Sequence, residues 1–157
     1  MRVDLNFGKG CVPVQLSDDW EVTVVRKPLM PIEPDASLAV RRALKSPVGC
    51  APLLELARAR SNVCILICDI TRPVPNGVIL PTLLRELIAA GVDPKKITVL
   101  VATGLHRPNE GKELAELVGD SWVLKTVKVV NHFATRDEDH VPVGTTKSGT
   151  VVRLDRR

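Results

Sequence analysis

The stretch "CDITRPVP" at residues 68–75 places an acid, a hydroxyl and a guanidinium close together, directly after the apolar run "NVCILI". A guanidinium grips a carboxylate or a phosphate through two parallel hydrogen bonds, so Arg72 is a candidate anion-binding residue. Asp69 could orient Arg72 or accept a hydrogen bond from a ligand hydroxyl. The alternative is that Asp69 and Thr71 only close a turn, and that Arg72 pairs with Asp69.

A second group of polar residues follows the apolar run "KITVLVAT", in the sequence "GLHRP" at residues 104–108. Gly104 permits a tight turn, and His106 and Arg107 then stand just past the end of the run. Histidine is the natural proton carrier near neutral pH. The two groups together predict an anion grip beside an acid/base, which suits a small hydroxy or keto acid or a phosphorylated ligand. A lone surface histidine is the alternative interpretation.

Strand-like apolar runs alternate with helical patterns through the centre of the chain. The runs "VCILIC", "KITVLVAT" and "TVKVVNH" are separated by "NGVILPTLLRELIAAG" and "NEGKELAELVG". This alternation predicts an α/β fold with a parallel Rossmann-like sheet flanked by helices, and the continuous apolar runs predict strands buried on both faces. Ligands bind outside the carboxyl ends of such strands, so we expect Asp69, Arg72 and His106 around one crevice. The start of the helix near Asn76 would add free backbone N–H groups.

Both ends of the sequence are typical of short antiparallel β-hairpins. The runs "RVDLNF", "CVPVQL" and "WEVTVV" predict a small meander, and residues 140–154 predict a hairpin turning at "TKSGT". Between them we expect a helix capped by Asp35 or Ser37 and ending near Leu44. A second helix should open at Pro52 and cover residues 52–60.

Length and composition restrict the class of protein. The 157 residues suit one domain, no run approaches the ~20 apolar residues of a membrane span, and the N-terminus is unlike a signal peptide. We therefore expect a cytoplasmic protein with no membrane partner. The net charge of +4 comes from basic residues mixed with acids, and the chain has two Trp, two Phe and no Tyr. Aromatic platforms for single-stranded nucleic acid are missing, so no nucleic-acid partner is predicted.

The remaining reactive residues give weaker signals. Asn131 and His132 end the third apolar run and are secondary candidates for the same rim, and His140 begins the C-terminal hairpin and should be exposed. The three histidines lack the close i, i+4 pair of a zinc motif, so no metal site is predicted. The motifs G-x-G-x-x-G and G-x-S-x-G are absent. No Cys-x-x-Cys pair occurs, and we expect reduced core thiols at Cys11, Cys50, Cys64 and Cys68.

The sequence resembles the N-terminal lobe of the lactate racemase family, whose members use a nickel-pincer nucleotide (nickel pyridinium-3,5-bisthiocarboxylic acid mononucleotide). The likeness rests on "DITRPVP" followed by "GLHRP", with support from "LNFG", "LPTLLRELIAAGV", "VGTTKSGT" and "RLDRR". The resemblance implies racemisation or epimerisation of a small 2-hydroxy acid. In such enzymes the cofactor takes a hydride from C2 while a histidine removes the hydroxyl proton.

Roles for single residues follow from the resemblance. His106 would be one acid/base histidine of the catalytic pair. Asp69, Ile70, Thr71 and Arg72 would contact the cofactor, and Arg72 would also hold the substrate. The family's second acid/base histidine, its cofactor-tethering lysine and its nickel-coordinating histidine match no position in these 157 residues, and His132 and His140 do not replace them.

The chain is therefore expected to form residues 1–157 of the N-terminal lobe of a larger, two-lobe isomerase. The C-terminal lobe would be a partner, either in the same polypeptide or as a separate chain. Alone, the chain is expected to show no racemase activity and to bind neither nickel nor the cofactor tightly. Two alternatives stay open at this point: a non-catalytic α/β module that binds an anionic metabolite or nucleotide, and a purely structural subunit.

Overall fold

The structure is a computed structural model that describes residues 1–58 and 60–157. It divides into two compact units, Met1–Ile32 and Glu33–Arg157. The smaller unit is built on a β-hairpin, and the larger unit contains a parallel sheet, five helices and a second hairpin.

The smaller unit begins with strands β1 (Arg2–Phe7) and β2 (Gly10–Gln15), which pair antiparallel. Phe7 faces Gly10 across a two-residue turn, and Gly8 has φ +57° there. Glycine adopts this left-handed conformation at no steric cost, which suits the tight turns that join two-stranded hairpins. The first predicted hairpin is confirmed.

The predicted third strand, "WEVTVV" at residues 20–25, is wrong. The segment forms no helix or strand in the described chain, and Trp20 and Val25 are 64% and 92% exposed. A strand is stabilised by ladder hydrogen bonds and by burial of one face. This segment has neither, so its alternating pattern alone does not make it a strand.

The larger unit contains a three-stranded parallel sheet. Its strands are β3 (Val63–Cys68), β4 (Ile97–Ala102) and β5 (Lys128–Asn131), in the order β3-β4-β5. The predicted fold class, a parallel sheet flanked by helices with a hairpin at each end, is confirmed. The register places Cys68 opposite Ala102, so β3 and β4 end side by side.

The described residues form five α-helices. They are α1 (Ala36–Lys45), α2 (Leu53–Ala57), α3 (Asn76–Ala89), α4 (Gly111–Val118) and α5 (Ser121–Thr126). Asp35 caps α1, as predicted, by accepting a hydrogen bond from the Leu38 backbone N–H. Pro52 precedes α2, but that helix ends at Ala57, and the part of the predicted helix at residue 59 lies outside the described residues.

Helix α5 is absent from the sequence prediction. Its N-cap Asp120 accepts hydrogen bonds from the backbone N–H groups of Trp122 and Val123. A capping aspartate before an apolar stretch is a helix signal, but the six residues of α5 are too few to show a helical period.

The core lies on one face of the sheet. Ile67 of β3 and Val99 and Val101 of β4 are buried there, and side chains of α3, α4 and α5 cover them. The fully buried hydrophobic members are Leu80, Leu84, Ile97, Val99, Val101, Val118 and Val123. The hydrophobic effect of this one layer holds the larger unit together.

The opposite face of β3 is uncovered, which corrects two predictions. Leu66 is 68% exposed, and Cys64 and Cys68 on the same face are exposed as well. The strand is therefore not buried on both faces, and the predicted core thiols, including Cys11 and Cys50, are all exposed. The helices that contribute to the core pack on the face that carries Ile65 and Ile67, so alternate residues of the apolar run in β3 remain in contact with solvent.

A C-terminal hairpin completes the larger unit. Strands β6 (His140–Thr145) and β7 (Val151–Asp155) pair antiparallel, as predicted, with Gly149 at φ +87° in the turn. Among the described residues, the helices are all too short or too polar to cross a bilayer.

Two glycines let α3 and α4 approach closely. A Cβ atom built on Gly77 would lie 2.8 Å from the Gly119 carbonyl oxygen, and one built on Gly119 would lie 3.0 Å from the Gly77 Cα atom. Gly119 also ends α4 with φ +69°, the usual glycine stop. Backbone atoms cannot yield as a flexible side chain can, so the start of α3 depends on both glycines.

Replacing Gly77 with Ala should lower the free energy of unfolding by about 1–3 kcal/mol, because the added methyl group overpacks a contact between two backbones. Chemical denaturation measures the change. Gly144→Ala in β6 is the matched control, since a Cβ there meets nothing within 4 Å. Equal stabilities for the two variants would contradict the close approach.

Candidate active site at the carboxyl ends of the strands

Asp69 follows β3 and is almost completely buried, with 4% of its surface exposed. Its Oδ1 atom accepts hydrogen bonds from the Thr71 backbone N–H at 3.0 Å and from the Thr71 hydroxyl at 2.6 Å. Its Oδ2 atom lies 2.5 Å from Nδ1 of His106. Both oxygens are therefore engaged, as a buried carboxylate requires.

The environment keeps Asp69 ionised. The hydrogen bond from the Thr71 side chain, followed by the one to His106, lowers the pKa of Asp69 from 3.8 to about 2, although burial opposes the shift. An ionised carboxylate only accepts hydrogen bonds, so Nδ1 of His106 must carry the proton that it shares with Asp69. The second ring nitrogen, Nε2, is then left as a free acceptor when the imidazole is neutral.

His106 is positioned by the turn that follows β4. Its backbone N–H donates to the Thr103 carbonyl at 2.9 Å, and Gly104 in that turn has φ +57°. The His106 side chain is 57% exposed, and within residues 1–58 and 60–157 its only hydrogen-bond partner is Asp69. A neutral imidazole held at one nitrogen and exposed at the other is arranged for proton transfer.

Asp69, Arg72 and His106 line one cleft of about 300 Å³, with Thr103 and Leu105. The sequence-based expectation of a shared crevice thus agrees with the geometry. Arg72 is exposed, and in the described part of the chain its guanidinium has no hydrogen-bond or ion-pair partner. The alternative in which Arg72 pairs with Asp69 is wrong, because Thr71 and His106 occupy that carboxylate.

Ile70 and Thr71 are engaged within the protein. The Ile70 backbone N–H donates to Oδ1 of Asn109 at 3.2 Å, and the Thr71 hydroxyl and N–H both donate to Asp69. These hydrogen bonds shape the loop. Of the four residues assigned to the cofactor, Arg72 is the one whose polar side-chain group makes no hydrogen bond within the described residues. Their assignment to a cofactor stays a prediction.

The second arginine of the two motifs is occupied. Arg107 contacts Glu113 of α4 through two hydrogen bonds, at 2.5 and 2.7 Å. The hydrogen bonds from Arg107, and then from Asn109, lower the pKa of Glu113 from 4.5 to about 2. Arg107 therefore faces a carboxylate of its own chain, and Arg72 is the guanidinium that faces the cleft.

The chain matches the family model "Lactate racemase N-terminal domain" over residues 7–157. It belongs to that family. The resemblance stated from the sequence motifs is confirmed.

Named relatives and solved structures agree. The chain is 40% identical over 110 residues to a lactate racemase of Lactiplantibacillus plantarum, a match that covers 70% of this chain and 26% of that protein. It is 29% identical over 157 residues to a lactate racemase of Thermoanaerobacterium thermosaccharolyticum, covering 99% of this chain and 36% of that protein. The chain thus spans about a quarter to a third of the length of these curated relatives.

The structure superposes on the lactate racemase apoprotein from Thermoanaerobacterium thermosaccharolyticum with a TM-score of 0.81 and 27% identity, covering 99% of this chain and 36% of that chain. A Thermotoga maritima protein matches with a TM-score of 0.54 and 22% identity over 74% of this chain and 26% of that chain. The second likeness shows the fold alone.

Asn109, Glu113 and Thr103 of the candidate site were not found from the sequence, whereas Asn131 was predicted at its rim. Asn109, Glu113 and Asn131 form a hydrogen-bonded group beneath the cleft, and the Thr103 hydroxyl donates to the His132 carbonyl at 2.5 Å. The sequence signal that pointed to this group was Asn131, which ends the third apolar run. Its partner Asn109, in "RPNE", has the pattern of an ordinary turn residue.

The other two histidines lie elsewhere. His132 does not line the cleft; it lines a neighbouring hollow of about 320 Å³ on the sheet face that carries Leu66, with Leu100 and Leu154. Its Nδ1 lies 2.9 Å from Oδ2 of Asp155, and its ring stands edge-on to His140 at 5.0 Å. His140 is half-buried rather than exposed. Within the described residues, no three potential metal ligands converge.

Because the pKa of Asp69 is depressed, the free energy of unfolding of the chain depends on pH. Because the folded-state pKa is about 2 and the ordinary value is 3.8, the contribution of Asp69 is present above about pH 4 and is lost as the pH falls towards 2. Asp69→Asn should therefore be less stable than the natural chain at neutral pH. It should also lose less stability than the natural chain between about pH 5 and pH 2.

Urea unfolding midpoints at several pH values measure both effects. The control is Asp137→Asn, which changes an exposed aspartate in the short 3-10 helix before β6 and should follow the natural chain at every pH. Parallel pH profiles for Asp69→Asn and the natural chain would show that the Asp69 carboxylate is not held as described.

Proposed function

We propose that the chain is the N-terminal, substrate- and cofactor-facing domain of a lactate racemase-type enzyme that racemises or epimerises a 2-hydroxy acid. One observation carries the proposal: a buried, ionised Asp69 holds Nδ1 of His106 at the edge of a cleft that Arg72 also lines. Relatives named lactate racemase support the reaction class. A 2-hydroxy acid has a hydroxyl group that can give its proton to His106 and a carboxylate that can pair with Arg72.

His106 is the proposed acid/base. Nε2 takes the proton of the C2 hydroxyl while Nδ1 stays bonded to Asp69, so the positive charge that develops on the ring lies next to a fixed negative charge. A carboxylate in this position also holds the ring in one tautomer and one orientation. When the proton returns to the product hydroxyl, the same ring acts as the acid.

Arg72 is the proposed binder of the substrate carboxylate. Its guanidinium is exposed on the cleft and has no partner in the part of the chain that the structure describes. An arginine–carboxylate pair fixes both position and orientation through parallel hydrogen bonds. This places the substrate hydroxyl beside His106, which borders the same cleft.

The nickel-pincer nucleotide of the family fits these residues in part. An anionic nucleotide suits the Arg72 guanidinium, and the only carboxylate among the cleft-lining residues, Asp69, has both oxygens engaged. The described residues bring no metal ligands together, so nickel would be held by groups beyond them. When bound, the group supplies the hydride acceptor and donor that the exchange at C2 requires.

A second lobe, in the same polypeptide or as a separate chain, is the proposed partner. The cleft is open, and the exposed Leu105 on its rim, at 87%, together with Leu66 on the same sheet face, offers apolar surface for contact. The groups missing here, a second acid/base histidine, a cofactor-tethering lysine and a nickel ligand, would come from that lobe. Residues 1–157 then form one part of a two-lobe enzyme.

Replacing His106 with Gln in the complete enzyme should reduce kcat by roughly 10²–10⁴-fold, the usual contribution of a positioned acid/base, while substrate binding is retained. Turnover and equilibrium binding of the 2-hydroxy acid test this. His140→Gln, outside the cleft, is the control and should keep its activity. Unchanged turnover in His106→Gln would remove the residue from the mechanism and favour a module that only binds an anion.

Replacing Arg72 with Ala in the complete enzyme should raise KM for the 2-hydroxy acid by about 10- to 100-fold, because a charge-assisted pair contributes about 1.5–3 kcal/mol. Steady-state kinetics measure the change. Arg153→Ala, which removes an exposed arginine of β7, should leave KM unaltered. Equal KM values for the Arg72 variant and the natural enzyme would assign the anion grip to another residue.

A further inference from the structure

We propose that Asn109 is a positioning residue of the site, which ties the ends of all three parallel strands together and so holds Asp69 against His106. The expected effect of Asn109 on turnover rests on the proposed function. The geometric claim concerns this chain alone. Neither Asn109 nor its partner Asn131 touches the cleft.

The side-chain and backbone polar groups of Asn109 are bonded to three other residues around the site. The residue is 2% exposed. Its Oδ1 atom accepts from the Ile70 backbone N–H at 3.2 Å, and its Nδ2 atom donates to Glu113 at 2.9 Å. Its backbone N–H donates to Oδ1 of Asn131, and its carbonyl accepts from Nδ2 of Asn131, both at 2.9 Å.

These bonds join three segments that are distant in sequence. Ile70 is the neighbour of Asp69 in the loop after β3, Asn109 follows His106 by three residues in the loop after β4, and Asn131 is the last residue of β5. Within the residues described, the Ile70 contact and the one between Asp69 and His106 are the only side-chain hydrogen bonds between the two loops. Asn109 therefore fixes the distance across which the carboxylate and the imidazole meet.

The side-chain amide of Asn109 also contacts the ion pair between Arg107 and Glu113. By donating to Oε2 of Glu113, Asn109 helps to hold the carboxylate that binds Arg107. Arg107 is thereby kept on Glu113, and Arg72 is left to face the cleft. A buried side chain whose hydrogen bonds are all satisfied in one geometry specifies that geometry strongly.

A purely structural asparagine would make the same contacts and affect stability alone. The two roles differ in what happens to the Asp69–His106 pair when the fold survives. If Asn109 positions the pair, its removal weakens the Nδ1–Oδ2 bond. The His106 ring then returns towards the Nε2–H tautomer of an unrestrained histidine, and Asp69 loses part of the hydrogen bonding that depresses its pKa.

The experiment is NMR spectroscopy of the 157-residue chain, with ¹⁵N-labelled histidine and ¹³C-labelled aspartate, on Asn109→Ala and the natural chain. We expect His106 to be mainly Nδ1–H in the natural chain and mainly Nε2–H in the variant. The Asp69 pKa should rise by about one unit or more. His132 is an internal control, because its Nδ1 bonds to Asp155, and its signals should not change.

Two further variants keep the test decisive. Val123→Ala removes a fully buried side chain of α5 and lowers stability without touching the strand-end loops, so His106 should keep its Nδ1–H tautomer. If Asn109→Ala does not fold, Asn131→Ala removes one pair of the contacts and should shift the same His106 and Asp69 signals to a smaller extent. A folded Asn109 or Asn131 variant with unchanged His106 and Asp69 signals would overturn the proposal.

The outcome is separable from that of the proposed function. The NMR signals report only the Asp69–His106 pair, and no turnover is involved. In the complete enzyme, a displaced acid/base lowers kcat by roughly 10²-fold. A shifted tautomer with unchanged kcat would reject the role of His106, whereas an unshifted tautomer would reject the role of Asn109.

Discussion

The burial of one carboxylate constrains the whole site. Asp69 is charged and nearly inaccessible to solvent, and a buried charge is tolerated only when its hydrogen-bonding atoms are satisfied. Thr71 occupies one oxygen and His106 the other. Each of two loops therefore supplies a hydrogen-bond partner for Asp69: the loop after β3 supplies Thr71, and the loop after β4 supplies His106. Within the described residues this arrangement also leaves the Arg72 guanidinium without a partner, and this cationic group faces the cleft.

The second organising feature is the uneven covering of the sheet. Helices bury the face that carries Ile67 and Val99, while Leu66, Cys64 and Cys68 face away from them. The cleft with His106 and the apolar hollow beside His132 both lie on the side that carries Leu66 and share Ala102. The chain spans about a quarter to a third of its curated relatives, and an open apolar face beside the reactive groups is the surface that the proposed second lobe would cover.

Most of the fold could be predicted because its signals are local. Apolar runs marked the three parallel strands, glycines marked the ends of α3 and α4, and Asp35 marked the start of α1. The failures have a common cause. Residues 20–25 alternate like a strand, and Cys64 sits in an apolar run, but pairing and burial depend on which distant elements pack nearby, and no local pattern contains that information.

The sequence by itself determined which chemical groups stand at the strand ends: a carboxylate, two guanidinium groups and an imidazole, in two motifs of one family. Only the tertiary structure decided how they combine. It paired Asp69 with His106 rather than with Arg72, bound Arg107 to Glu113, and placed Asn109 beneath both loops. Residue types set what each group can donate or accept. The choice of partner depends on distances of a few ångströms between segments far apart in the chain, and these distances are fixed only when the sheet and its loops pack together.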